Sequence, residues 1–272
     1  MTQERLLCTA AEMDIEKTFE CGQCFRWTRD SSGVYSGIAY GVPARLRCDG
    51  ENVYISSPGS IEMWREYFDL ERDYRAIADS FNAGDYLDRC IDFGFGIRIL
   101  RQEPWEALCS FIISQCNNIS RIKSIVSRLC AELGESVEFD GELFYKFPTA
   151  ERLAGLTAED LAFLRSGYRA PYIIGAAKSL ASGETKMESL IEAPWQTAKA
   201  ELKKLSGIGD KVANCVVLFG LYHMEAFPID VWIKRALKEH FAPGFDPQSL
   251  GEYAGIAQQY IFYYARSTDN AG

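Results

Sequence analysis

The chain has 272 residues, 47% of them apolar and 25% charged, with a formal net charge of −9. That is too apolar for a disordered chain, and no uninterrupted apolar stretch approaches the roughly 18–20 residues a membrane-spanning helix needs. The acidic balance argues on its face against a nucleic-acid partner. The charge is uneven, however: residues 1–100 hold 11 basic and 17 acidic side chains, whereas residues 101–240 hold 17 and 18. A DNA site in that near-neutral middle would rest on local basic clustering and backbone N–H donors.

The opening MTQERLLCTAAEMD offers a short apolar run followed at once by acids, which argues against an export signal and for a cytoplasmic, prokaryotic protein. Short strands follow at Cys24–Arg29, Val34–Tyr40, Pro43–Cys48 and Asn52–Ser56, rich in aromatic or branched residues. Turn signals at Asp30–Gly33 and Asp49-Gly50 join them into an antiparallel meander. Ile61–Asp69 and Arg72–Asn82 switch to helical spacing. From Pro104 on, only helices are predicted: Trp105–Cys116, Ile119–Leu133, one opening at Pro148-Thr149, then 158–165, 170–182, 194–205, 209–221, 230–240 and 248–265.

The nine cysteines are odd in number and loosely spaced, which fits free thiols. None follows Cys215, so no iron–sulfur cluster of four C-terminal cysteines is expected. Cys21-Gly-Gln-Cys24 has no second C-x-x-C and precedes a strand, which argues against a metal or redox pair. With only His223 and His240, any general base falls to a carboxylate or a lysine.

The segment KAELKKLSGIGDKVANCVVLFG, residues 199–220, carries the most information. An amphipathic helix ending at Leu205 breaks at Ser206-Gly207-Ile208-Gly209, and a second helix starts at once. Two glycines around one aliphatic residue permit a tight turn with unusual φ, with Ile208 as the plug. The N–H groups of Gly207, Gly209 and the first helical residues, Val212 among them, then face outward as a phosphate site. An ordinary turn between two helices has the same signature.

Lys211 falls on the first turn of the second helix, where the positive helix end disfavours an ammonium. Such a lysine suits Schiff-base chemistry. Cys215 is four residues on, on the same face. Asp230, in Phe227-Pro-Ile-Asp-Val-Trp, sits at a helix N-cap and could serve Lys211 as acid/base. Taken singly, each has a plain structural reading: surface lysine, small buried thiol, cap.

Gly-Ile-Gly-x-Lys-Val-Ala-x-Cys followed by Pro-Ile-Asp-Val resembles the helix-hairpin-helix DNA glycosylases, in which a lysine at this position marks the glycosylase/lyase members. Within them the chain resembles the eukaryotic-type 8-oxoguanine DNA glycosylases. The resemblance rests also on Gly22-Gln-Cys-Phe-Arg-Trp27, Ser114-Gln-Cys-Asn-Asn-Ile-Ser-Arg-Ile122, Gly167-Tyr-Arg-Ala170 and Tyr253-Ala-Gly-Ile-Ala-Gln-Gln-Tyr-Ile-Phe262. It implies an α+β fold: an N-terminal antiparallel sheet subdomain over 1–100, then a mostly α-helical core. That core would span 101–229 with the hairpin at about 197–221, and 230–272 would pack back beside the N-terminal part to complete the cleft.

The resemblance further implies duplex DNA containing 8-oxoguanine, opposite cytosine, as the partner of a monomeric enzyme with no cofactor. Lys211 would attack C1′, expel the base and form a Schiff base, and β-elimination would nick the strand, with Asp230 assisting. Phe262 and Cys215 would sandwich the extruded base, Cys215 pairing as thiolate with Lys211, and Gln258 would bind its Watson–Crick edge. The Gly22 carbonyl would accept from the N7–H of 8-oxoguanine and repel the N7 lone pair of guanine, a discrimination of roughly 1–3 kcal/mol. Asn117, Arg121 and Arg169 would face the orphaned cytosine, with Tyr168 as wedge. Backbone carbonyls of Lys203, Leu205 and Ile208 could hold a structural monovalent cation. Cys116 departs from the family's asparagine and Trp232 from its histidine. The alternatives are a non-catalytic hairpin DNA-binding protein or a glycosylase for another oxidised base.

Overall fold

The computed structural model describes residues 2–269. A five-stranded antiparallel sheet is built from β1 (Arg5–Thr9), β2 (Thr28–Arg29), β3 (Tyr35–Ala39), β4 (Val42–Cys48) and β5 (Asn52–Ser56), in the spatial order β1-β5-β4-β3-β2. β3 and β4 pair Ile38 with Pro43 and Ala39 with Val42 around Tyr40-Gly41. Both turn residues have positive φ (52° and 70°), the twist a two-residue hairpin demands. The first strand, β1, escaped the sequence reading: Arg5–Thr9 alternates weakly, and its pairing with β5 is a long-range contact.

Two hydrophobic cores lie side by side. The smaller one belongs to the sheet and is dominated by rings: Trp27 stacks on Phe19 with centroids 4.4 Å apart and meets Trp64 edge-on at 6.0 Å. Trp27 Nε1 donates to the Tyr67 hydroxyl at 3.1 Å. The predicted strand Cys24–Arg29 shrinks to Thr28–Arg29 because this stretch is the seam between the cores. Cys24 and Trp27 enter the sheet core while Phe25 enters the helical one, so no alternating face survives. Arg26, between them, pairs with the partly buried Glu106 at 3.0 Å and donates to the Tyr145 carbonyl, stitching the seam.

The larger core is helical. Ile119–Leu133 forms as predicted, with Ile122, Ile125, Val126, Leu129 and Cys130 inward. Its N-cap Asn118 accepts from the Arg121 N–H at 2.9 Å. Several elements correct the sequence reading. The run after Pro104 is not wholly helical: β6 (Ser136–Phe139) and β7 (Glu142–Tyr145) form a hairpin whose Asp140-Gly141 turn has φ of 48° and 81°. The helices Asp85–Gly94 and Met187–Glu192 are additional. The segment 158–165 condenses to a single turn, Ala162–Leu164, ended by Arg165 in the left-handed region (φ 52°). The last predicted helix divides at Gly251 (φ 79°), and the long helix starts only at Ala254. That helix, Ala254–Asp269, packs on Asp85–Gly94, so the chain's last segment returns to its first third. No helix among the described residues is long and apolar enough to cross a membrane.

Candidate active site and DNA-facing hairpin

A cleft of about 730 Å³ opens against the helical core, floored by Cys21, Phe25, Phe111 and Phe219. Six of the residues singled out from the sequence share its wall: Gly22, Lys211, Cys215, Asp230, Gln258 and Phe262, from four distant parts of the chain. Asn117 lies at its rim together with Cys116.

Lys211 stands on the first turn of the helix Asp210–Phe219. Its Nζ donates to Ser114 Oγ at 3.3 Å and lies 5.5 Å from the centre of the Phe111 ring. The Ser114 hydroxyl donates in turn to the Phe111 carbonyl at 2.8 Å, so its lone pairs face the amine. Ser114 was not marked as a site residue by the sequence; its only signal was its place before the Asn-rich junction. Asp230 caps the helix Val231–His240 through one oxygen: Oδ1 accepts from the N–H groups of Trp232 (3.0 Å) and Ile233 (2.9 Å). The capping and the catalytic readings are therefore compatible, since Oδ2 is left for the cleft. Cys215 is buried one turn beyond Lys211. Burial pushes its thiol up, Lys211 pulls it down and Asp230 pushes it up again, with a net rise. That rise runs against the thiolate the resemblance implies for Cys215.

Opposite stands the loop carrying Gly22, with φ +79°. A Cβ there would sit 3.2 Å from the Phe262 ring and 3.4 Å from Ile119, so glycine serves both the backbone conformation and the narrow gap. The loop is held by its neighbour Gln23, fully buried. Gln23 Nε2 donates to the carbonyls of Thr18 (2.9 Å) and Arg98 (2.7 Å), and Oε1 accepts from the Leu100 N–H (2.9 Å). Gln102 Nε2 donates to the Gln23 carbonyl at 2.9 Å. Three of these four bonds span more than 70 residues of sequence, and together they hold the loop that presents the Gly22 carbonyl.

The hairpin forms as expected. Gly207 has φ +80°, Gly209 is the N-cap of Asp210–Phe219 and Ile208 is buried. Gly207 answers a second need, for a Cβ there would lie 2.3 Å from the Tyr172 ring. Val212 is buried in the first turn of the following helix. Lys199 and Lys203 both bind Asp210 at 3.1 Å, bringing two ammonium groups to the hairpin and holding the Asp210 carboxyl below its usual value. Sequence spacing did not single out that cluster, which supplies the local basic charge that the composition lacks. At the expected cation position the Leu205 carbonyl already accepts from the Ile208 N–H at 3.2 Å. Among the described residues no group of His, Cys, Asp and Glu is placed to hold a metal ion.

Tyr168 is exposed, and the neighbouring Cys116 raises its phenol. Cys116 is itself exposed and sits in the left-handed region (φ 49°). Arg121 is exposed and donates to the Arg165 carbonyl at 3.3 Å. Arg169 is not a free fork. It is buried, Nε donates to the Gln115 carbonyl at 2.8 Å and Nη1 to the Ser166 carbonyl at 2.9 Å, while Nη2 also binds Gln115. It clasps the 114–118 junction to the 166–169 turn. Asn117 Nδ2 donates to the Ile113 carbonyl at 2.8 Å.

Two family models cover the chain. Residues 5–108 match the 8-oxoguanine DNA glycosylase N-terminal domain, and residues 109–250 match the HhH-GPD superfamily of base excision DNA repair proteins. The N-glycosylase/DNA lyase of Saccharomyces cerevisiae is 33% identical over 91% of this chain and 73% of its own length. The chain belongs to the 8-oxoguanine glycosylase/lyase family. An N-glycosylase/DNA lyase of Arabidopsis thaliana is 32% identical over 94% of this chain and 78% of its own. Among solved structures, an 8-oxoguanine glycosylase/lyase of Clostridium acetobutylicum, bound to double-stranded DNA with cytosine opposite 8-oxoG, superposes with a TM-score of 0.89 at 35% identity, covering 99% of this chain and 98% of its own. This glycosylase/lyase is thus a bifunctional base-excision DNA repair enzyme, with an antiparallel sheet module followed by a helix-hairpin-helix core.

Proposed function

We propose that the cleft receives an 8-oxoguanine flipped out of duplex DNA opposite cytosine, and that Lys211 and Asp230 release it and open the strand. The supporting observation is that Lys211, Asp230, Cys215, Gly22, Gln258 and Phe262 line one cleft. Lys211 Nζ, positioned by Ser114, attacks C1′; the glycosidic bond breaks and its electron pair leaves with the base, which takes up a proton. Asp230 offers a negative charge where the sugar becomes positive. Loss of the amine proton and opening of the sugar give a Schiff base, and removal of the C2′ proton expels the 3′ phosphate. Phe262 and Cys215 face the two sides of the base, Gln258 its edge, and the Gly22 carbonyl its N7–H.

The hairpin grips the backbone through N–H groups at Gly207, Gly209 and Val212, flanked by Lys199 and Lys203. Carbonyls of Lys203, Leu205 and Ile208 form the candidate seat for a monovalent cation. Tyr168 wedges the duplex and Arg121 and Asn117 approach the cytosine, with Arg169 holding both segments in place. We read the enzyme as a monomer working in a prokaryotic cytoplasm, and its division as 1–100, 101–229 and 230–272. Borohydride trapping on a duplex with one 8-oxoguanine opposite cytosine tests the core of this reading. A covalent adduct that disappears in Lys211→Gln is the expected result; intact binding with neither adduct nor base release would refute it.

A further inference from the structure

The turn that ends Ala162–Leu164 lies just ahead of the exposed Tyr168, and it gathers four arginines. Three consecutive backbone carbonyls each accept from a different one. The Leu164 carbonyl accepts from Arg128 Nη2 at 2.7 Å, that of Arg165 from Arg121 Nη2 at 3.3 Å, and that of Ser166 from Arg169 Nη1 at 2.9 Å. The fourth arginine is Arg165 itself, exposed and held at φ 52°. Among the described residues none of the four pairs with a carboxylate, and the Arg165 guanidinium has no partner. A chain with a net charge of −9 thus collects four positive charges at one turn and leaves them unneutralised. Like charges held this close repel, and an anion relieves the repulsion. The backbone gives a second sign. A long side chain at positive φ is strained where glycine would not be, and such strain gathers at functional positions.

We propose that Arg165 binds a backbone phosphate of the DNA strand opposite the lesion, beside the orphaned cytosine. The inference rests on the duplex-DNA reading above, in which Arg121 approaches that cytosine. Arg121 is anchored on the Arg165 carbonyl, so Arg165 stands next to the same strand. The Tyr168 wedge belongs to the same group, for the Arg169 guanidinium lies over its ring at 4.4 Å. Arg121, Arg128 and Arg169 hold the carbonyls of the turn and so fix its shape, while Arg165 extends its planar fork of donors outward. That fork matches two phosphate oxygens at once. Such a contact reads no base; it raises affinity for damaged and undamaged duplex alike and sets the register of the wedge.

The test measures duplex affinity against salt concentration for the wild type, Arg165→Gln, Arg165→Lys and Arg165→Gly, each checked by thermal melting. Two duplexes are used, one undamaged and one with 8-oxoguanine opposite cytosine. Arg165→Gln should bind both about fivefold more weakly at about 0.1 M salt, and its slope of log K against log salt should be shallower by about 0.9. Arg165→Lys keeps the charge and should keep the slope. Arg165→Gly should melt no lower than the wild type, because glycine relieves the left-handed backbone, and yet bind as weakly as Arg165→Gln. A turn that mattered only for folding would not part stability from binding in this way. Neutral methylphosphonates at the phosphates flanking the cytosine should erase the difference between wild type and Arg165→Gln, whereas the same change in the lesion strand should leave it. An unchanged slope in folded Arg165→Gln, a loss confined to the damaged duplex, or a difference that survives neutralisation of the opposite strand overturns the proposal. If Arg165→Gln does not fold, Arg165→Gly decides by the same slope. A wild type that binds neither duplex instead overturns the reading on which the proposal stands.

Discussion

Two loops with a left-handed glycine, at Gly22 and Gly207, carry the DNA contacts proposed above, and they are built on opposite principles. The hairpin around Gly207 is local: its plug Ile208, its helix N-terminus and its lysines all lie within residues 199–212. The loop around Gly22 is non-local: Gln23 hangs it on Thr18, Arg98, Leu100 and Gln102, and Phe262 comes from the other end of the chain. A phosphate grip needs only outward N–H groups and tolerates any base sequence. A base reader needs one carbonyl aimed at one atom, and that aim comes from bonds across the fold.

The largest effect separates chemistry from either loop. Lys211→Gln should abolish the borohydride-trapped adduct and slow base release by at least about 10³-fold, with an unchanged melting temperature. Gln23→Leu should cost about 3 kcal/mol in chemical denaturation, because the Arg98 carbonyl and the Leu100 N–H lose their partner and the Thr18 carbonyl keeps only the Cys21 thiol. An unchanged denaturation midpoint would mean the Gly22 loop does not depend on this node. Gly207→Ala should cost about 1–2 kcal/mol from the left-handed backbone alone, and more from the Tyr172 ring 2.3 Å away. Combining it with Tyr172→Ala should return the steric part only. The single variant should weaken binding to undamaged and damaged duplex alike, as titrations with both would reveal. Gly22→Ala should instead spare undamaged duplex and reduce 8-oxoguanine release roughly tenfold, since the new methyl narrows the gap beside Phe262.

The smallest effect concerns the thiols. Alkylation at neutral pH should reach the exposed Cys48 and Cys116 well before Cys215. The Cys215 rate should grow with pH, because burial raises that thiol and the reactive thiolate forms only at higher pH. Lys211→Gln removes the one charge that lowers it, and so should slow Cys215 further at any given pH. Mass spectrometry of the alkylated protein at several pH values would measure both.

The same contrast explains what the sequence made legible. Lys211, Cys215 and the hairpin are spelled out in one continuous segment, and Ile119–Leu133 repeats its apolar side often enough to be read without ambiguity. Asp140-Gly141 between Ser136–Phe139 and Glu142–Tyr145 was also a readable hairpin signal, passed over inside an otherwise helical stretch. Strand β1, the Gln23 node and Ser114 beneath Lys211 were not readable, because each takes its meaning from residues far away in sequence. Arg169 shows the limit of motif reasoning in the other direction: its place in Gly-Tyr-Arg-Ala was clear, but not that backbone carbonyls already engage its guanidinium.

The closing of Ala254–Asp269 onto Asp85–Gly94 also sets an order in time. Translation delivers Lys211, the proposed nucleophile, well before Gln258 and Phe262, so the amine emerges from the ribosome while the C-terminal wall of the cleft is still unmade. In that reading a nascent or C-terminally clipped chain has the proposed nucleophile and the Gly22 loop but lacks Gln258 and Phe262. In the reading proposed above, the wall formed by Gln258 and Phe262 is the last part of the site this polypeptide acquires, and a protease trimming its final helix would remove that wall first.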